Sequence, residues 1–305
     1  MRRVWPVVGL FAVALAVASS GPRAQEPQRA PAFRSGATAV AVDVNVRDRS
    51  GRPITGLDVA DFEVLDNGVR QDVVQLSYGK VPIDITVALD VSYSVVGHLL
   101  DRLRDAVGQL MRDLGSEDRL KLVLFNMRVT RTTDFTTDVK LVDQAIRSAV
   151  AGGGTAFHDA VSVALVSAAA PDRRQLVVFF TDARDSVSTS TPEMIVKVAE
   201  RTRATLTFVT PAAVGTTAFG ARAAAGSPPP VPNVLARETG GSVLPFSDAT
   251  NLTATFRRIL NDFRSTYVLY YNARGVDQTG YHTIDVKVSR SNAVVTARRG
   301  YQGGQ

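Results

Sequence analysis

The chain has 305 residues, 45% of them hydrophobic and 21% charged. This composition excludes disorder of the whole chain and allows about two domains. The formal net charge of +6 includes Arg2, Arg3 and Arg23 of a leader-like first segment, and the remaining surplus is too small to indicate a nucleic-acid partner. Because the sequence contains no cysteine, disulfides, thiol chemistry and a lipid-modified cysteine are excluded.

The first 24 residues have the layout of a secretory signal peptide, with two arginines, an apolar run from Val4 to Ala18 and then small residues. That run is shorter than the roughly 20 residues of a membrane span. An uncleaved anchor remains the alternative, and only in that case is a membrane a partner. Both cases predict an extracytoplasmic protein, whether periplasmic, cell-surface or secreted. Residues 25–37 are predicted to be a linker.

Residues 38–80 predict a small antiparallel β unit. Valines alternate with smaller or polar residues from Val40 to Val46, as in a half-buried strand. Further on, Asp66, Asn67 and Gly68 stand between two short apolar runs, which is a strong hairpin signal.

Residues 81–262 alternate apolar strands with amphipathic helices, and this pattern predicts an α/β domain with a doubly wound, mostly parallel sheet. A polar strand or turn is predicted within 128–135, and the Gly-, Ala- and Pro-rich stretch 214–233 is predicted to be a long loop. The predicted helices cover 138–150, 157–170, 192–203 and 250–264.

Residues 263–305 return to alternation in "TYVLYYNA" and "YHTIDVKVSR". Neither terminal segment has enough strands for an independent core, so we expect them to pair with each other. The predicted fold is therefore an α/β domain inserted into a small β-sandwich.

Oxygen-bearing side chains gather at one edge of the predicted sheet. Asp90, Ser92 and Ser94 follow the first strand, Asp182 follows a later strand, and Thr155 follows three glycines just before a helix. Ligands of open parallel sheets bind beyond the carboxyl ends of the strands. All five groups are hard oxygen donors, so they suit Mg²⁺, Mn²⁺ or Ca²⁺ and not zinc.

Two carboxylates only just offset the charge of a divalent cation, and hydroxyls are neutral ligands. An acidic side chain from outside is therefore a favourable additional ligand. This chemistry predicts a module that binds a protein partner offering an Asp or Glu carboxylate, with no small-molecule substrate and no catalytic residue.

These residues match a known motif set. "DVSYS" reads as DxSxS after an apolar strand, "GGGT" supplies Thr155 and "FFTDARD" supplies Asp182. Together they resemble the metal-ion-dependent adhesion site of von Willebrand factor type A domains, and the flanking segments resemble the bacterial exported VWFA-related type. The resemblance implies that Asp90, Ser92, Ser94, Thr155 and Asp182 bind the metal. Ala183 stands where the family usually has glycine.

Other interpretations stay open at this point. The two serines are also suited to capping the following helix, and Asp159 suits a capping or dipole role better than a ligand role. His98 and His158 lie near the predicted site without a partnered nucleophile. A metal-dependent hydrolase or phosphotransferase using Asp90, and a structural envelope protein without metal, are the alternative functions.

Overall fold

The computed structural model describes residues 39–79, 81–93, 98–166, 170, 172–211, 229–247 and 250–304. The predicted leader and most of the predicted linker lie outside the described residues. One six-stranded sheet and two four-stranded sheets organise the fold. The six-stranded sheet contains Ile83–Asp90 (β5), Arg119–Phe125 (β6), Val129–Thr132 (β7), Arg174–Phe180 (β8), Thr205–Pro211 (β9) and Ser242–Phe246 (β10).

The strand order of this sheet is β10-β9-β8-β5-β6-β7, and every neighbouring pair except β6 with β7 is parallel. The central strands β5 and β8 are buried along their whole length, as their continuous apolar sequences require. After β5 the chain adds β6 on one side and β8 on the other. This reversal of strand order opens a crevice at the carboxyl end of β5.

Helices cover both faces of the sheet. They are His98–Asp113 (α1), Val139–Arg147 (α2), Phe157–Leu165 (α3), Pro192–Arg201 (α4), Val231–Thr239 (α5) and Leu252–Arg264 (α6). Alternate β5 residues such as Ile85 and Val87 pack with α1, α2 and α6. Ala88 faces the opposite side, where it packs with α3, α4 and α5.

The two smaller sheets face each other across a shared apolar core. The first has the order β13-β1-β11-β4 and the second the order β14-β12-β2-β3. Their strands are Val40–Arg47 (β1), Phe62–Asp66 (β2), Val69–Gln71 (β3), Val73–Tyr78 (β4), Tyr267–Tyr271 (β11), Gly280–Val288 (β12), Val294–Ala297 (β13) and Gly300–Gly303 (β14).

Strands from both ends of the chain pair within this sandwich. Strand β1 lies between β11 and β13, and β2 pairs with β12. The hairpin at Asn67 and Gly68 joins β2 to β3, with both residues at positive φ. These pairings confirm the predicted fold class, an α/β unit inserted into an antiparallel one, while the exact domain boundaries stay predictions.

Two sequence predictions about element bounds are wrong. Residues 214–228 of the predicted loop 214–233 lie outside the described residues. The end of that prediction is wrong, because helix α5 begins at Val231. Proline is compatible with the first turn of a helix, so Pro232 does not prevent this start. Helix α3 ends at Leu165, short of the predicted residue 170, because Val166 is exposed and no longer faces the core.

The sandwich is tied to the α/β unit by buried and half-buried arginines. Arg174 Nε lies 2.7 Å from Asp43 Oδ1, and Arg47 Nη2 lies 2.8 Å from Asp262 Oδ1. Arg298 donates to the carbonyl of Thr202 at 2.8 Å, just beyond the end of α4. None of the described helices has the length and apolar character needed to cross a membrane.

Candidate metal centre

Asp90 is the last residue of β5, and its side chain is completely buried. Its Oδ1 accepts a hydrogen bond from the Ser92 amide at 2.9 Å. Its Oδ2 accepts one from Thr181 Oγ1 at 2.7 Å. Among the described residues, no Lys, Arg or His makes an ion pair with this carboxylate. The carboxyl end of β5 therefore holds a buried acid whose hydrogen-bond donors Ser92 and Thr181 are neutral.

The electrostatics of Asp90 follow from this surrounding. Burial raises the pKa of Asp90, because the ionised form is removed from water. Hydrogen bonds from Ser92 and Thr181 oppose that rise, and the negative charge of Asp182 adds to it. Asp182 is thus close enough to repel Asp90, and a cation between the two carboxylates would relieve that repulsion.

The glycine-rich loop is held directly against the loop that follows β5. The Gly152 amide donates to the carbonyl of Val91 at 2.8 Å, and the Tyr93 amide donates to the carbonyl of Gly153 at 3.2 Å. Gly152 and Gly153 both have positive φ, a backbone conformation that favours glycine. This loop places the buried Thr155 at the same edge of the sheet as Asp90.

A third loop, which follows β8, is hydrogen-bonded to the glycine-rich loop. Ser186 Oγ accepts a hydrogen bond from the Thr155 amide at 2.9 Å, and the Ser186 amide donates to the Thr155 carbonyl at 2.9 Å. Earlier in this loop the Ala183 amide donates to Thr181 Oγ1, and the Arg184 amide donates to Asp182 Oδ1. The half-buried Asp182 is therefore fixed by its own backbone.

A second pair of acids attaches this third loop to helix α3. Asp159 accepts from the amides of Thr189 and Ser190, and Asp185 accepts from the amides of His158 and Ser188. Burial works to raise the pKa of both acids, but these hydrogen bonds outweigh it and lower both values. Asp159 therefore does not cap α3, which has no side-chain cap at its N-terminus; it anchors the loop that follows β8.

The two histidines predicted to lie near the site occupy different surroundings. His158 Nδ1 lies 3.1 Å from the carbonyl of Ser190, so it belongs to the loop attachment. His98 is exposed at the first turn of α1.

The structure places Asp90, Ser92, Thr155 and Asp182 on three adjoining loops at the carboxyl edge of the sheet, while Ser94 lies outside the described residues. Sequence reasoning missed Thr181 and Ser186, which orient Asp90 and Thr155. The unusual density of Ser, Thr and Asp in 181–191 was the signal that could have identified them. In the part of the chain that the structure describes, no three His, Cys, Asp or Glu side chains are grouped to hold a metal.

The donor set nevertheless fits a hard divalent cation that relies on hydroxyl as well as carboxylate oxygens. Asp90, Ser92 and Thr155 are buried, and Asp182 supplies the second negative charge.

Comparisons with known proteins relate part of this chain to one domain family. Residues 85–184 match the family model described as von Willebrand factor type A domain. A 131-residue stretch is 26% identical to the inter-alpha-trypsin inhibitor heavy chain H4 of Sus scrofa. That match covers 39% of this chain and 14% of the curated relative.

Solved structures with related folds include a von Willebrand factor type A protein from Catenulispora acidiphila. The two proteins are 12% identical, the match covers 88% of this chain and 75% of that chain, and the TM-score is 0.48. The conserved hypothetical protein BatB from Bacteroides thetaiotaomicron is 15% identical. The match covers 59% of this chain and 98% of that chain, with a TM-score of 0.44. These similarities are too low to bear on partners. The sequence match and the motifs within it identify the segment 85–184 as a von Willebrand factor type A domain.

Proposed function

We propose that the chain is a protein-binding module in which a divalent cation, held by Asp90, Ser92, Ser94, Thr155 and Asp182, binds an acidic side chain of a partner. Domains of this family generally serve as adhesion or interaction modules. The observation that carries the proposal is the buried carboxylate of Asp90, which lacks a cationic partner among the described residues.

The other acid of the same strand provides the contrast. Asp84, near the start of β5, is also buried, but it lies 2.7 Å from Arg119 Nη2 and 2.6 Å from Arg173 Nε. The fold therefore neutralises a buried acid with arginines at one end of β5 and leaves the acid at the other end to neutral donors. Burying an unpaired charge is costly, and a bound cation removes that cost.

Mg²⁺ is the cation we favour, with Mn²⁺ and Ca²⁺ as alternatives, because all proposed ligands are oxygens. The two carboxylates balance the formal charge of the ion. A carboxylate from a partner is then attracted to the ion as an additional ligand. In this proposal the chain needs no catalytic residue, and the location is extracytoplasmic, as the sequence of the first 24 residues predicts.

The proposal is tested by replacing Asp90 with alanine. We expect Mg²⁺ affinity to collapse, because the remaining carboxylate and the hydroxyls compensate poorly for the water that Mg²⁺ must shed. Isothermal titration calorimetry with Mg²⁺ and Mn²⁺ measures the effect, and circular dichroism checks the fold.

Asp285→Ala is the matched control, because Asp285 is an exposed acid on β12. Its Mg²⁺ affinity should equal that of the unmodified protein. Equal Mg²⁺ affinity in Asp90→Ala, or no measurable Mg²⁺ or Mn²⁺ binding by the unmodified protein, contradicts the proposed function. Global unfolding of Asp90→Ala would instead show that Asp90 is needed for the fold.

A further inference from the structure

Three exposed apolar side chains lie around the candidate metal centre, one from each of the loops that follow β5, β6 and β8. Tyr93 is 75% exposed, Met127 is 59% exposed and Val187 is 49% exposed. We call these three residues the apolar rim. Single exposed apolar residues are normal on a protein surface, but apolar residues grouped beside a site need an explanation.

The rim residues are grouped because each lies over one glycine of the loop that precedes Thr155. A methyl group placed on Gly152 would lie 3.7 Å from Tyr93 Cε1, and one placed on Gly154 would lie 3.7 Å from Val187 Cγ1. A methyl group on Gly153 would approach Met127 Cγ to 2.8 Å. Three consecutive glycines thus make room for three side chains at the edge of the crevice.

Exposed positive charge lies beside the rim. Arg128 follows Met127, and Arg184 lies two residues after Asp182; both are exposed. Neither makes an ion pair with a described residue. The nearby acids Asp159 and Asp185 already accept backbone hydrogen bonds. With a cation offsetting the charges of Asp90 and Asp182, Arg128 and Arg184 are available to pair with acidic residues of a partner.

We propose that the partner is an acidic protein segment whose metal-binding Asp or Glu is flanked by apolar side chains, and that these pack on Tyr93, Met127 and Val187. This inference rests on the proposed function and specifies its partner. The carboxylate supplies the ligand for the cation, and burial of the rim supplies the apolar contact energy that a lone carboxylate lacks. A partner acid with polar neighbours leaves the rim exposed.

The test uses the full chain loaded with Mg²⁺ and an array of short peptides with a fixed central Asp or Glu and varied neighbours. We expect the strongest binders to carry apolar residues next to the acid and to be lost in chelator. Tyr93→Ser, Met127→Ser and Val187→Ser should each weaken those binders by about tenfold, with unchanged Mg²⁺ affinity in calorimetry. Val74→Ser, at a 52% exposed valine on β4, should have no effect.

Several results would overturn the inference. Binders with polar neighbours, rim variants that bind peptide normally, or tighter binding to phosphatidylglycerol vesicles than to any peptide each contradict it. Intact Mg²⁺ binding in those cases shows that only the partner assignment has failed. Absence of Mg²⁺ binding by the unmodified chain shows that the proposed function itself has failed.

Discussion

Ala183, next to the proposed ligand Asp182, has a backbone φ of 57°. This left-handed conformation destabilises a residue with a Cβ atom by roughly 1–2 kcal/mol. Ala183→Gly should therefore raise the free energy of unfolding by about 0.5–1 kcal/mol, because the removed strain exceeds the contact of one half-buried methyl group. Urea unfolding measures the change, and a less stable variant would show that the methyl contact dominates.

Asp159 is the acid that attaches the third loop to α3, and its lowered pKa gives a pH dependence with a definite sign. A carboxyl whose folded pKa lies below its unfolded value stabilises the protein above the unfolded pKa, about 3.9, and loses that contribution as pH falls through the folded pKa. Asp159→Asn keeps one acceptor oxygen and loses the charge. We expect it to lower the free energy of unfolding by about 1–2 kcal/mol at neutral pH, and the difference from the unmodified protein should shrink near pH 3.

Urea unfolding at the two pH values tests this expectation. Asp143→Asn is the control, because Asp143 is a half-exposed acid of α2 that forms a surface ion pair with Arg147, and surface pairs contribute little. A difference for Asp159→Asn that stays constant across the pH range would contradict the role assigned to its charge.

The glycine-rich loop contacts both other loops of the candidate site, the one that follows β5 and the one that follows β8. A Cβ atom on Gly154 would lie 2.7 Å from Ser186 Oγ, so Gly154→Ala must displace the serine that holds the Thr155 amide. We expect about a tenfold or greater loss of Mg²⁺ affinity, equivalent to roughly 1.4 kcal/mol, with the fold retained.

Gly108→Ala is the matched control in calorimetry. In α1 the added methyl group would meet only Arg112 Nη1, at 3.7 Å. It should stabilise the helix by about 0.5–1 kcal/mol and leave Mg²⁺ affinity unchanged. Normal Mg²⁺ binding by Gly154→Ala would show that the loop does not position Thr155.

The sequence predicts best those elements whose hydrophobic pattern is compatible with only one kind of structure. The nearly continuous apolar runs of β5 and β8 indicate parallel strands buried on both faces, and the carboxyl ends of parallel strands, where Asp90 and Asp182 follow, lie at the same sheet edge. Helix α5 was missed in part because prolines indicate loops and helix starts equally well. Thr181 was missed because its role depends on the lateral pairing of β5 with β8, which brings Leu89 opposite Phe180 and which local sequence does not contain.

The sandwich is built from strands of both terminal segments of the chain. Deleting residues 265–305 removes both partners of β1 and the β12 partner of β2. We expect the amides of β1 and β2 to lose hydrogen-exchange protection, because β1 keeps no paired strand and β2 keeps only its short hairpin with β3, which is marginally stable alone. Full protection after the deletion would show that the N-terminal strands fold independently.

The α/β unit leaves and re-enters the sandwich at neighbouring points. A methyl group placed on Gly79, just after β4, would lie 3.7 Å from the carbonyl of Arg264, the last residue of α6, and β4 pairs directly with β11. A pulling force applied between residues 39 and 304 therefore passes through the hydrogen-bonded strands of the sandwich. The six-stranded sheet and the candidate metal centre lie off that line of tension, so we expect them to be mechanically shielded when those two residues are under load.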